Sequence, residues 1–179
     1  MRNIFIGLIF ALFSVRLNFG IFSLDVLPNF IGFYLMIKGF KELYPVNSSI
    51  FEVFGYMKIA FAYSIFTFAF RLFGMFAMMG IVAAFFELIE AGLLIFIVYK
   101  FIDILRKEET QNQIELFSKK LEQMWNINTC CLVVSVLAGL IPNFPLLAIP
   151  ISVVNIAVSA AFLYEFRKTE RAYYVNYHT

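Results

Sequence analysis

Histidine is almost missing from this chain: the single copy, His178, lies in the charged C-terminal stretch. A zinc hydrolase helix of the H-E-x-x-H kind needs two histidines one turn apart, so that chemistry is excluded. A G-x-S-x-G nucleophile turn and a D-G-x-x-A-R transferase signature are missing too, and a membrane cysteine has no histidine base to pair with. The chain therefore reads as not an enzyme. Cysteine is scarce, and its two copies, Cys130 and Cys131, are adjacent. Neighbouring residues do not satisfy disulfide geometry, and no second Cys or His pair supplies metal-ligand spacing. Both read as small packing residues, with no metal and no cofactor expected. Charge is also sparse, at 15% of residues against about 25% in a soluble domain. The formal net charge of +2 is too small to indicate a nucleic-acid partner.

Apolar residues fill the gap, with 62% hydrophobic positions, 24 phenylalanines and 9 tyrosines and a mean hydropathy of +0.85. A chain of 179 residues has too little interior to hide that much apolar surface from water, so the expected partner is a lipid bilayer. A spanning helix needs about 20 mostly apolar residues. Six stretches qualify: 3–22, 30–45, 51–71, 77–104, 126–142 and 146–165. The opening MRNIFIGLIFALFSV lacks a cleavage site of the A-x-A type and reads as an uncleaved first span. The boundary near LFGMFAMMG, between the third and fourth spans, is the least defined.

Placing both termini in the cytoplasm puts Arg2, Lys38, Lys41, Lys58, Lys100, Arg106, Lys107, Lys119, Lys120, Arg167, Lys168 and Arg171 on the inner side. Only Arg16 and Arg71 fall in the outer half, as the positive-inside rule requires of this orientation. The predicted fold class is all-α: one membrane domain over 1–179, an integral bundle of six transmembrane helices with both ends inside. The Asn47-Ser48-Ser49 sequon then faces the cytoplasm, and glycosylation is not expected.

Residues 106–125, RKEETQNQIELFSKKLEQMW, form the only long polar stretch between spans. Ile114, Leu116, Phe117, Leu121, Met124 and Trp125 fall on one helical stripe, which predicts a cytoplasmic amphipathic helix at the membrane surface. Trp125 would anchor it at the interface. Leu116, Phe117, Leu121 and Trp125 are candidates for a surface that docks a membrane or cytoplasmic protein. Plain surface solvation fits the same pattern.

Each span also carries small or polar residues at helical spacing, the way helices associate in lipid. Examples are Gly7 and Ala11; Gly32 and Gly39; Ala60, Ser64, Thr67 and Arg71; Ala84, Glu87 and Ala91; Asn128 and Ser135; Ser152, Asn155 and Ser159. These stripes are expected to face inward. Two outer turns repeat a motif, Leu27-Pro28-Asn29-Phe30 and Ile141-Pro142-Asn143-Phe144. There proline fixes φ and asparagine is expected to cap the next helix.

Asp25-Val26-Leu27-Pro28-Asn29-Phe30-Ile31-Gly32-Phe33, followed by Ile37-Lys38-Gly39, resembles the first hairpin of a group of small bacterial polytopic membrane proteins. The resemblance covers the first 45 residues or so and implies a multi-pass protein of a bacterial plasma membrane. It carries no activity with it.

Ionisable groups inside a span are costly and mark candidate sites. Five lie in the outer half or near the middle: Arg16, Asp25, Arg71, Glu87 and Glu90. With Asn155 they make up the candidate intramembrane polar site. Glu87 and Glu90, three apart, share one helix face. The expected arrangement is an Arg71–Glu87 pair, with Glu90 the carboxyl that takes up a proton, and Arg16 meeting Asp25 or Asn18. Three readings stay open: an ion pair that fixes helix register, a proton- or cation-linked site, and a site for a cationic small molecule.

Two functions remain. One is a non-catalytic accessory or partner-binding membrane subunit. The other is a small-solute transport component with a small-molecule ligand. In length, six spans and cytoplasmic ends the chain is similar to the substrate-binding subunits of energy-coupling-factor transporters. It departs from them in the long inner segment and in having only Gly7 and Ala11 where an alanine-rich surface is usual.

Overall fold

The computed structural model describes residues 1–13, 16–19, 22–25, 27–43, 50–79, 81–139 and 145–178. Helices form its body: α1 (Arg2–Leu12), α2 (Asn29–Leu43), α3 (Ile50–Leu72), the short α4 (Met75–Met79), α5 (Ile81–Asn112), α6 (Ser118–Gly139) and α7 (Pro145–His178). The all-α expectation describes this body. One hairpin departs from it, with strands β1 (Arg16–Phe19) and β2 (Phe22–Asp25) between α1 and α2.

The first expected span, 3–22, is not a single helix. At about 1.5 Å per residue, the 11 residues of α1 reach little more than half the ~30 Å hydrocarbon core. From Leu17 to Leu24 the apolar residues stop recurring at helical spacing, and Leu17-Asn18-Phe19 and Phe22-Ser23-Leu24 alternate with a period of two. The antiparallel register sets Arg16 opposite Asp25, Leu17 opposite Leu24, Asn18 opposite Ser23 and Phe19 opposite Phe22.

The long helices form a closed ring. α1 packs on α2, α2 on α3, α3 on α5, α5 on α6 and α6 on α7, and α7 returns to α1. The α1–α2 contact is the tightest and depends on glycine. A Cβ on Gly32 would lie 2.7 Å from the Gly7 carbonyl oxygen, and one on Gly39 would lie 2.8 Å from the Ile4 nitrogen. Helix backbones this close gain dispersion contacts that any larger residue would hold apart.

α3 and α5 are long and apolar enough to cross a membrane. Only 28% and 22% of their most apolar windows are buried within the protein, so their apolar surface points outward. Ile59 is 58% and Phe85 59% exposed. Gly74, with φ 71°, ends α3 in the left-handed conformation that suits a helix C-terminus, and α4 fills the ill-defined stretch before α5.

The expected amphipathic helix over 106–125 is replaced by a hairpin. α5 runs on to Asn112, Gln113 and Phe117 take positive φ of 54° and 56°, and α6 starts at Ser118. The carboxylate of Glu109 holds the reversal, accepting bonds from Leu116 N at 2.9 Å, Ser118 N at 3.2 Å and the Ser118 hydroxyl. A carboxylate at the α6 N-terminus also opposes the helix dipole favourably. The apolar stripe is spent inside the bundle: Leu116, Leu121 and Trp125 are fully buried, and the Trp125 ring lies 4.8 Å from that of Phe162. Trp125 is a core residue, not an interface anchor.

Beyond that turn, α5 and α7 meet at Glu108, which accepts from Tyr177 and from Asn112. Burial first, then the bond to Glu108 and the charge of that carboxylate, push the Tyr177 phenol up to about 12. A phenol held neutral above its unfolded value adds stability below about pH 10 that is lost as pH rises toward 12. In a ¹³Cζ-tyrosine NMR titration, Tyr177 should ionise near 12 and move back toward 10 in Glu108→Gln; an unchanged midpoint would refute the assignment.

The glycine contact gives a second test. Gly32→Ala should cost about 1–3 kcal/mol through overpacking and lower the unfolding temperature in detergent. Gly55→Ala and Gly92→Ala, where an added Cβ meets nothing within 4 Å, should be neutral or stabilising by up to about 1 kcal/mol. Equal effects at all three positions would rule out the close-approach account.

Candidate functional site

Ser64, Thr67 and Arg71 recur at spacings of three and four along α3, so they share one face, and all three are buried. That face meets Glu90 of α5. Ser64 Oγ donates to Glu90 Oε1 at 2.7 Å, and Asn29 Nδ2, from the start of α2, donates to the same oxygen at 3.1 Å. Thr67 Oγ1 and Arg71 Nη2 each approach Oε2 at 3.4 Å. Four polar groups from two helices, α2 and α3, thus surround a carboxylate on a third that is 5% exposed, and the Thr67 hydroxyl also has the Ser64 carbonyl as an acceptor at 3.1 Å.

Arg71 also faces Glu87 Oε1 at 3.5 Å, and its guanidinium stacks over the Phe76 ring at 5.1 Å. One buried cation is therefore shared by both glutamates. The expected Arg71–Glu87 pair is present, and Glu90 joins it as the more enclosed carboxylate. Glu87, with 32% of its side chain exposed, is the more accessible. One helical turn separates them, enough to bury one against α3 and leave the other at the edge.

Beside this network lies a half-open cavity of about 400 Å³. All six long helices line it: Ala11 and Leu12 from α1, Asn29 and Phe33 from α2, Arg71 from α3, Glu87, Glu90, Ala91 and Leu94 from α5, Leu132 and Ser135 from α6, and Ser152 and Asn155 from α7. Every lining residue belongs to the end of its helix nearer the hairpin and α4. The opposite half of the bundle is filled by aromatic rings. Phe40 packs edge-on against Phe101 at 4.8 Å, and Phe101 and Phe5 lie 6.1 and 6.2 Å from Phe166.

Of the residues singled out in the sequence, the structure thus brings Arg71, Glu87, Glu90 and Asn155 to one cavity. Arg16 and Asp25 are paired in backbone register, and their side chains lie outside the described residues, as do Pro142 and Asn143 of the second outer turn. Of the candidate docking residues only Phe117 is exposed; the other three have no free face. Sequence reasoning missed the role of Asn29. It does not cap α2 as expected: its Nδ2 goes to Glu90, and its Oδ1 is buried without a partner. The signal was legible in part, since an asparagine and a Ser-Thr-Arg face in apolar helices need a polar counterpart.

Two substitutions separate the glutamates. Glu90→Ala takes the acceptor from the Ser64 hydroxyl and the Asn29 amide and one of two carboxylates from buried Arg71, and should cost about 3–5 kcal/mol, as breaking a buried pair does. Glu87→Ala should cost about 1 kcal/mol or less, as for a partly exposed pair. Thermal unfolding in detergent with the reverse order would overturn this division of roles.

Compared with known proteins, the chain matches no family model, no curated protein and no solved structure.

Proposed function

We propose that this protein is a non-catalytic, multi-pass protein of a bacterial plasma membrane that binds a small solute in its bundle, as a component of a transport system. The observation that carries the reading is the inverted polarity of the fold. Arginine, glutamate, asparagine and serine line an interior cavity, while phenylalanine and isoleucine cover the outside of α3 and α5. In water that distribution would be strongly unfavourable; in lipid it is the expected one.

In this reading both termini are cytoplasmic, and the chain makes six passes. α1 and α2 are short passes whose reach the β1–β2 hairpin extends at the outer side. The cavity then belongs to the outer half, and the aromatic packing around Phe40, Phe101 and Phe166 separates it from the cytoplasmic half. That arrangement suits capture of a solute from outside, the task of a substrate-binding subunit. Partner docking through 106–125 is the weaker reading, because three of its four residues are committed to the core.

Native mass spectrometry of the protein, gently extracted from its own membrane, tests the proposal. The expected result is a retained small molecule that disappears in Ala91→Phe, a cavity-filling variant. A co-purifying pair of ATPases would assign it to the subunit class. A protein that carries no small molecule, or the same one in Ala91→Phe, would sink the solute-binding reading.

A further inference from the structure

We infer that the solute recognised in this cavity carries a positively charged nitrogen with several N–H donors, in its simplest form an alkylammonium. The inference rests on the solute-binding reading above. It starts from the lining acceptors that make no hydrogen bond; the lining donor that makes none, Arg71 Nε, belongs to a guanidinium stacked over Phe76. Asn29 Oδ1 and Asn155 Oδ1 are both buried and without a hydrogen bond, and both residues line the cavity. Asn29 Nδ2 donates to Glu90 Oε1 at 3.1 Å, so the vacant terminus of that amide is the carbonyl oxygen. A buried acceptor without a donor is costly, and a ligand that supplies N–H groups removes that cost.

Charge selects the same class. Among the described lining residues there are two carboxylates and one guanidinium. The guanidinium is already shared between Glu87 and Glu90 and covered by Phe76, so it is not presented to an anion. The accessible charged surface is that of Glu87. A carboxylate edge with carbonyl acceptors from α2 and α7 is the complement of an ammonium group, which has three donors and no acceptor. The apolar side chains Phe33, Leu94 and Leu132 on the same wall give room for a short hydrocarbon body.

Calorimetric titration of the protein in nanodiscs, with empty nanodiscs as the blank, tests this with four probes: n-butylammonium chloride, sodium n-butyrate, n-butanol and potassium chloride. Butylammonium should bind, and the other three should not. Its affinity should fall at least tenfold in Glu87→Gln and in Asn155→Leu, and rise in Asn155→Asp, which adds a second accessible carboxylate. Unchanged affinity in the Asn155 variants, or equal binding of butyrate, butanol or potassium, would overturn the ligand class. A retained native molecule without a basic nitrogen would also overturn the class while leaving the solute-binding reading intact. Failure of every probe together with no retained molecule removes both.

Discussion

The carboxylate of Glu90 is the point on which the bundle depends. A charge buried to this depth is tolerated only if its lone pairs are filled, and here they draw on α2 through Asn29 and on α3 through Ser64, Thr67 and Arg71. The demand fixes how α2, α3 and α5 are rotated about their axes. If α3 turned by one residue, about 100°, Ser64, Thr67 and Arg71 would leave the carboxylate together. An apolar helix has no comparable preference in lipid, because one apolar face packs much like another. The polar contact supplies what hydrophobicity cannot.

Around that contact the remaining interfaces are of two kinds. α1 and α2 close through Gly7, Gly32 and Gly39, where backbone meets backbone. α6 and α7 close through Trp125 against Phe162 and through Ser159 Oγ, which donates to Asn128 Oδ1 at 2.9 Å. The fully buried rings of Phe40, Phe101, Trp125, Phe162 and Phe166 gather in one half of the ring of helices. The small and polar side chains lie in the other, where they do not fill the axis, and the cavity is what they leave. It follows from the uneven distribution of side-chain volume along the helices.

The same unevenness links structure to the proposed role. A site in a membrane protein needs polar groups held rigidly away from lipid, and the Glu90 network does this while leaving Glu87 and the two asparagine carbonyls at the cavity wall. Support and recognition are divided between glutamates one turn apart on one helix. The buried one carries more of the packing, and the other stands at the edge of the same ion pair.

Much of this was legible from composition and spacing. The excess of apolar residues called for helices with apolar outer faces, and the spacing of Arg71, Glu87 and Glu90 marked a polar site before any contact was known. Both conclusions rest on local properties: hydropathy, the helical repeat and the cost of burying charge. Tertiary structure decided the rest. The stripe from Ile114 to Trp125 looks the same to the chain whether it lies on a membrane or packs on α7, and only the presence of Phe162 opposite Trp125 settles it. Glu90 joined the expected Arg71–Glu87 pair because a pairing depends on what faces a residue from another helix. Spacing along one helix places a side chain on a face, and the neighbour on that face decides what it does there.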